Sequence, residues 1–378
     1  MATQQTSLDF NNALRSLDNE LATLISLQPN LISLLASTGQ SGMTVLNSRT
    51  PVTQNKHEWP ELQMTAEQGS VSGAHTNIVT TLALVDATGF LADMVLAFEG
   101  TDEVVKVTAV AGNNLTVVRG YGGSTAAALT DATLVRVISR PRAEGSDPDP
   151  NANSTPSVNF NYTEIFDDTF KVTGTAVNTA LAGVPDLVNL NLQQSMLKVT
   201  RRINTAAIFG RRVARSLTEK GTMGGILQLV TNRVNAAGEA LTATILNDAV
   251  ETIFKNGGAP SAIVCNTNQA RKITAFHASQ MFVLRADNTV GSSVNQFQSD
   301  LPMGSIQNIV VDPNFPKTKI GLLDMSKIYL DPYSGRSLRE FDATLPGADA
   351  ISRRLLGEYT LELLNGSAAH AIIDNLAA

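Results

Sequence analysis

A long helical period in the middle of the chain constrains the fold more than any other feature of the sequence. Within residues 185–220, apolar or small side chains recur at steps of three or four, the spacing of one helical face. Pro185 and Asp186 suit a helix start, and Gly221 after Lys220 suits a stop. The pattern predicts one helix over residues 185–220, about 50 Å long, which is more than the core of a small domain needs. The residues of this face are Val188, Leu192, Met196, Val199, Ile203, Ala206, Gly210, Val213 and Leu217.

The same stretch is strongly basic. From Leu187 onward it holds seven basic residues and one acid, Glu219, whereas the whole chain has a net charge of −6. A basic rod in an acidic protein predicts an acidic partner: a neighbouring copy, another part of this chain or a nucleic acid. For any single arginine, a solvated face with local ion pairs explains the pattern equally well. The candidate interface or DNA-facing residues are Lys198, Arg201, Arg202, Arg211, Arg212 and Arg215.

Composition favours a folded chain that contacts other subunits. Only 16% of the residues are charged, against about 25% in a typical globular protein. A sequence pI near 5.3 argues against a dedicated nucleic-acid binder. The single cysteine, Cys265, lies in an apolar run and is predicted to be a small buried hydrophobic residue. No signal peptide or membrane-spanning run is visible, so we expect a protein made inside the cell with no membrane partner.

The first half of the chain is predicted to be an arm followed by a β-rich excursion. Residues 36–56 are polar and without period, which indicates an extended arm that is stabilised on a neighbouring surface. Residues 78–140 contain short β-type runs and predict a small β-barrel or sandwich. Within it, the turn sequence of residues 111–114 predicts a β-hairpin. A proline-rich linker follows at residues 144–156, and extended strands are predicted after it.

The second half has an α/β pattern. Residues 242–255 predict an amphipathic helix and residues 261–265 a buried strand, with a further helix over residues 266–279. Residues 287–304 are predicted to form a mobile polar loop. At the end of the chain, Asn365-Gly366-Ser367 predicts a hairpin between two strands. In the first of these strands, Glu358, Thr360 and Glu362 alternate with apolar residues, which predicts one solvent-facing side.

Sequence motifs for catalysis, cofactors and metals are absent. There is no phosphate-binding loop and no nucleophile elbow, and Arg119-Gly120-Tyr121-Gly122-Gly123-Ser124 is predicted to be a loop between strands. The four histidines are scattered, so no metal site is predicted. The adjacent acids Asp167 and Asp168 are interpreted as a solvated turn. We therefore expect that the protein is not an enzyme and that it binds no cofactor or metal.

The order of elements resembles the major capsid proteins of tailed bacteriophages, which have the Hong-Kong-97-type shell fold. The order is an arm, an excursion with a β insertion, a long helix, an α/β domain and C-terminal strands. The resemblance covers essentially the whole chain and implies an α+β fold. Its supporting segments resemble a capsid subfamily with a β domain in the extended loop; they are Asn55–Trp59, Val117–Thr125, Glu144-Gly145-Ser146 and Phe170–Thr175.

The resemblance implies five regions. They are an N-terminal arm (1–56), an extended loop (57–181) with its β domain (78–140), a peripheral domain with the spine helix (182–220), an axial domain (221–325), and C-terminal strands returning to the peripheral domain (326–378). It also implies self-assembly into pentamers and hexamers of an icosahedral head shell, made in the host bacterial cytoplasm. The implied partners are a portal, a separate scaffold or none, decoration proteins and packaged double-stranded DNA.

Three alternatives remain open from the sequence. An encapsulin-type compartment has the same fold but encloses cargo other than a genome. A phage tail or decoration protein explains the β insertion but not the long helix with its following α/β domain. A hydrolase with a site assembled only in space would leave no sequence motif.

Overall fold

The computed structural model describes residues 31–32, 36–38, 44–46, 48–62, 68–145, 156–179, 186–278, 297–298, 305–306 and 308–377. Residues 1–30, most of the proline-rich linker and nearly all of the predicted loop at 287–304 lie outside these residues. No helix in the described part of the chain is long and apolar enough to span a membrane.

The described residues form short strands and a few helices. The strands are β1 (Ala36–Thr38), β2 (Thr44–Leu46), β3 (Lys56–Glu61), β4 (Gln68–Ser70), β5 (Thr81–Ala83), β6 (Val95–Phe98), β7 (Val104–Ala111), β8 (Asn114–Val118), β9 (Leu134–Ser139), β10 (Ser157–Tyr162), β11 (Glu164–Thr173), β12 (Arg233–Asn235), β13 (Ala262–Cys265), β14 (Phe297–Gln298), β15 (Ser305–Ile306), β16 (Asn308–Val311), β17 (Ile320–Leu323), β18 (Ile328–Pro332), β19 (Arg339–Asp342), β20 (Ala350–Leu363) and β21 (Ala371–Asp374). The helices are α1 (Gly174–Asn178), α2 (Leu187–Phe209), α3 (Ile226–Leu229), α4 (Ala243–Lys255) and α5 (Thr267–Ala278).

The chain divides into two compact units. The smaller unit is one continuous segment, residues 60–157, and the larger unit consists of residues 1–59 and 158–378. Strands β3 and β10 pair with each other, and the chain enters and leaves the smaller unit along them. The mixed architecture is the predicted α+β class, while the five regional boundaries given above stay predictions.

The smaller unit is a closed barrel. Its strands follow the order β4-β9-β6-β7-β8-β5. The two end strands are joined by hydrogen bonds from the Ser72 amide to the Ala83 carbonyl (2.8 Å) and from the Val85 amide to the Ser70 carbonyl (2.9 Å). Closure leaves no free sheet edge and encloses an apolar core of aliphatic and phenylalanine side chains. The hairpin predicted at residues 111–114 is confirmed, since β7 and β8 pair across that turn.

The larger unit contains two sheets that draw strands from distant parts of the chain. One has the order β12-β21-β17-β13-β16 and packs its aliphatic face with helix α4. The other has the order β11-β20-β18, with β19 also paired to β20. Helix α2 packs on β11 and β20, and its buried residues Val199, Ile203 and Ala207 join that sheet in one core.

The long helix ends earlier than its period predicts, at Phe209 instead of residue 220. Gly210 leaves the helical conformation (ψ 150°), and a Cβ at this position would lie 2.3 Å from the Met223 carbonyl oxygen. The Gly225 amide donates to the Gly210 carbonyl, so the chain returns to the helix end after residues 211–224. Within this return Val213 and Thr222 form a β-bridge. The beginning of the helix agrees with the sequence pattern, because the Asp186 carboxylate caps the amides of the first turn.

Two other predictions are wrong. The C-terminal strands do not form a hairpin, because β20 and β21 belong to different sheets of the larger unit. Asp167 and Asp168 do not form a solvated turn, since both lie inside strand β11, which pairs with β20 over its full length. In each case long-range pairing overrides the local signal.

The predicted arm is partly integrated into its own subunit. Leu31 and Ile32 are buried in the core of the larger unit. The Leu31 amide donates to Asp312, and Val52 forms a bridge with Tyr333. These described parts contact their own chain, while the expectation that residues 36–56 are also stabilised on a neighbouring surface stays a prediction.

Candidate interaction surface

The basic residues of helix α2 lie beside an acid of strand β11. The Asp168 carboxylate is 3.4 Å from Arg202 Nη2 and 3.9 Å from Lys198 Nζ. Arg202 also donates to the Asp167 carbonyl oxygen (2.7 Å). Lys198 and Arg202 remain more than half exposed, whereas Asp168 is 15% exposed. Arg201, on the same helix, is half-buried. One carboxylate thus faces two exposed cations, and the surface stays net positive there.

Three of the predicted basic residues, Arg211, Arg212 and Arg215, follow Gly210 and are therefore not on the helix. Their side-chain contacts differ. The Arg212 guanidinium lies 4.6 Å from the centre of the Phe160 ring and donates to the Phe160 carbonyl oxygen (2.9 Å). Lys56 contacts the same ring, with its Nζ 4.5 Å from the ring centre. Arg211 is exposed, and no described residue forms a hydrogen bond or ion pair with its guanidinium.

Arg215 reaches a buried carboxylate of strand β20. Its Nη2 donates to Glu358 Oε1 (2.9 Å), and Arg336 Nε lies 3.1 Å from Glu358 Oε2. The Thr163 hydroxyl also donates to Glu358 (2.7 Å). Because Glu358 is 1% exposed, its charge needs these partners to be tolerated. Arg212 and Arg215 are therefore committed to contacts inside the larger unit.

A second buried carboxylate cluster lies further along β20. Glu362 Oε2 is 2.9 Å from His57 Nε2, and Glu362 Oε1 accepts a hydrogen bond from Arg49 Nη1 (2.8 Å). Asp331 Oδ1 accepts from the Ser48 hydroxyl (2.8 Å) and from the Arg49 amide (2.7 Å). Burial alone would raise the pKa of Glu362, but the hydrogen bonds from His57 and Arg49 hold it below its ordinary value. Burial, together with the nearby Glu362 charge, raises the pKa of Asp331.

These clusters correct the interpretation of strand β20. Its alternation predicted that Glu358, Thr360 and Glu362 face solvent, but all three are buried. The covering groups come from residues 48–57, 162–163 and 215 and from Arg336, which are distant in sequence. A period of two gives the two sides of a strand but not what packs on the second side. The sequence offered no signal for this network.

Cys265 behaves as the sequence predicts. It is fully buried in β13, and burial raises the pKa of its thiol to about 12. The thiol therefore stays protonated and unreactive at neutral pH.

The charged and polar groups described above join segments that are distant in the chain. The exposed cations of helix α2 form a basic surface beside them. The fold of the chain is similar to several solved structures from phages and a GTA particle. One is the capsid of an empty GTA particle, with 11% identity, a TM-score of 0.54, and coverage of 99% of this chain and 100% of that chain. Another is the Cyanophage A-1(L) capsid, with 13% identity, a TM-score of 0.52, and coverage of 99% and 100%. A third is a structure from Mycobacterium phage Adephagia, with 10% identity, a TM-score of 0.50, and coverage of 98% of each chain.

The fold is therefore similar to that of these phage and GTA capsid chains, which is the Hong-Kong-97-type shell fold. The model of the SU10 major capsid protein family matches residues 2–377, and the chain belongs to this family. It is a bacteriophage major capsid protein, and many copies of it assemble into the capsid of the virion. A search of curated proteins gives no significant match.

Proposed function

We propose that this subunit builds a closed icosahedral head shell of pentamers and hexamers around double-stranded DNA. The observation that carries the proposal is the family match over nearly the whole chain, supported by the full-length similarity to phage and GTA capsids. In a closed shell, each subunit makes heterologous contacts with its neighbours. Assembly takes place in the host bacterial cytoplasm, with a portal, a separate scaffold and decoration proteins as partners. The role is structural and requires no catalysis.

We further propose that the exposed cations of helix α2 face the packaged DNA. The support is electrostatic: Lys198 and Arg202 are more than half exposed and share the single carboxylate of Asp168. Arg201, which is half-buried on the same helix, and Arg211, which is exposed after the helix end, are further candidates for contact with DNA. Arg212 and Arg215 take a different role, since their guanidinium groups are used within the subunit. Contacts of this kind bind phosphate without reading sequence, so they suit non-specific packing of a genome.

Charge variants of this surface test the DNA proposal. Double-stranded DNA of unrelated sequences is titrated with purified subunits over a range of salt concentrations. Arg202→Gln should weaken binding equally for all sequences and reduce the magnitude of the salt slope by about 1. Asp168→Asn removes the competing carboxylate and should strengthen binding.

The matched control is Arg354→Gln. Arg354 is similarly exposed but pairs with Asp167, through a bond of 2.7 Å to its carboxylate. This variant should bind DNA as the unmodified protein does. Equal losses in Arg202→Gln and Arg354→Gln would contradict a DNA surface centred on helix α2 and would indicate a general charge effect.

A further inference from the structure

One histidine and two carboxylates meet where residues 48–57 lie against strands β18 and β20. One ring nitrogen of His57 and one oxygen each of Asp331 and Glu362 lie within 4.8 Å of one another. Asp331 is fully buried, Glu362 is 1% exposed, and the His57 side chain is 16% exposed. These residues lie up to 305 positions apart, so no spacing motif could reveal them. All three belong to the larger unit.

The two oxygens of each carboxylate have different neighbours. Glu362 Oε1 binds Arg49, while its Oε2 faces His57. Asp331 Oδ1 accepts the hydrogen bonds of Ser48 and of the Arg49 amide, while its Oδ2 is buried and no N–H or O–H group of the described residues donates to it. The Glu362 carboxylate lies close enough to share a proton with Asp331. A buried carboxylate oxygen without a donor costs free energy, and it calls for a proton or a cation.

We propose that His57, Asp331 and Glu362 bind a divalent metal ion of the zinc or manganese type. An imidazole nitrogen with two carboxylate oxygens is a donor set that these ions accept, and three protein ligands leave a position for water. The hydrogen bonds from Arg49 and Ser48 would orient the two carboxylates, as groups around metal ligands commonly do. The partial exposure of His57 gives the ion access from solvent.

The ion would fasten the start of the β3 segment to the sheet of the larger unit. His57 lies in β3, which leads into the smaller unit, whereas Asp331 and Glu362 lie in β18 and β20. Binding to the folded chain alone stabilises it in proportion to the logarithm of the metal concentration above Kd. Metal supply would therefore control how firmly this segment is held.

Calorimetric titration of the chelator-treated, full-length protein with Zn²⁺ or Mn²⁺ tests the proposal. We expect one ion per chain and a metal-dependent rise in Tm. His57→Gln should weaken binding by at least about tenfold and abolish the rise in Tm. Asp331→Asn is a second variant that keeps an oxygen for the Ser48 and Arg49 donors, and it should weaken binding similarly.

The control is His75→Gln, which changes a histidine of the smaller unit and should leave metal binding unchanged. Substitution with Co²⁺ gives an independent signal, since its visible ligand-field bands should appear in the unmodified protein and be lost in His57→Gln. A stoichiometry far below one ion per chain would overturn the proposal. So would binding that is the same in His57→Gln and Asp331→Asn as in the unmodified protein.

Discussion

The two units of this subunit are built in opposite ways. The barrel takes its whole core from residues 71–137, and all of its strand pairings lie within one continuous segment of the chain. The core of the larger unit joins Leu31 to Ile372, and its sheets pair strands that are distant in sequence, such as β11 with β20 and β12 with β21. Local pairing needs little loop-closure entropy, whereas distant pairing becomes stable only when many contacts form together.

The two units also differ in where the ion-pair partners of their buried carboxylates come from. In the barrel, Glu103 is held by a two-pronged pair with Arg119, with Nε–Oε1 and Nη2–Oε2 distances of 2.6 Å. In the larger unit, the carboxylates of β20 pair with Arg49 and Arg215, which are more than 100 positions away, and with the nearer Arg336. The barrel therefore stabilises itself, while the larger unit depends on the docking of segments from elsewhere in the chain.

Breaking the barrel's ion pair gives the largest expected effect. Arg119→Ala leaves Glu103, which is 1% exposed, with backbone amides but without its cationic partner, and should lower the stability of the barrel by about 3–5 kcal/mol. Hydrogen exchange should accelerate in peptides of β6–β9 and stay unchanged in β20. The control Arg136→Ala, an exposed position on β9, should change stability by less than about 0.5 kcal/mol. Equal exchange in both units would show that they do not unfold separately.

Acid should weaken the larger unit through His370. This residue is fully buried, and burial lowers its pKa from 6.5 to about 4, although its bond to the Leu364 carbonyl opposes the shift. Between these pH values the unfolded chain binds more protons than the folded one, so stability falls as the pH drops from 6.5 towards 4. The loss should reach about 3 kcal/mol.

Denaturant titrations at several pH values check this effect. His370→Gln can keep the hydrogen bonds to the Asp324 amide and the Leu364 carbonyl, and it should flatten the pH dependence. His75→Gln, in the barrel, should not. An unchanged slope in His370→Gln would assign the acid sensitivity to other groups.

Substitution of a glycine should change stability by a smaller amount, and by different amounts in the two units. Gly210→Ala places a Cβ against the backbone oxygens of Met223 and Ala206, and should cost about 1–3 kcal/mol. Gly112→Asn, in the barrel hairpin, meets open space at a φ of +59°, which asparagine tolerates, and should cost less than about 1 kcal/mol. Thermal unfolding measures both, and similar losses would contradict the packing role of Gly210.

This contrast also explains which parts of the fold could be predicted from the sequence. The β7–β8 hairpin and helix α4 were recognised because their signals are local: a turn sequence and a continuous helical period. The end of helix α2 was missed because an apolar period continues past Gly210. Only the tertiary contact with Met223 shows why the chain must turn there.

The charged clusters could not be predicted for the same reason. Nothing local marks Glu358 or Glu362 as buried, because their partners come from the arm segment, from the return after helix α2 and from Arg336. The basic residues were found from composition, but the sequence did not separate Lys198 and Arg202 from Arg212 and Arg215. Their difference depends on which acids and rings the fold places beside them.

The most direct test of the central claim is electron microscopy of the full-length chain, expressed alone and together with the scaffold and portal of its phage. The account predicts closed icosahedral particles, with rings of five and six subunits, in at least one of the two preparations. Monodisperse monomers or dimers in both preparations would contradict the claim that this chain forms a head shell.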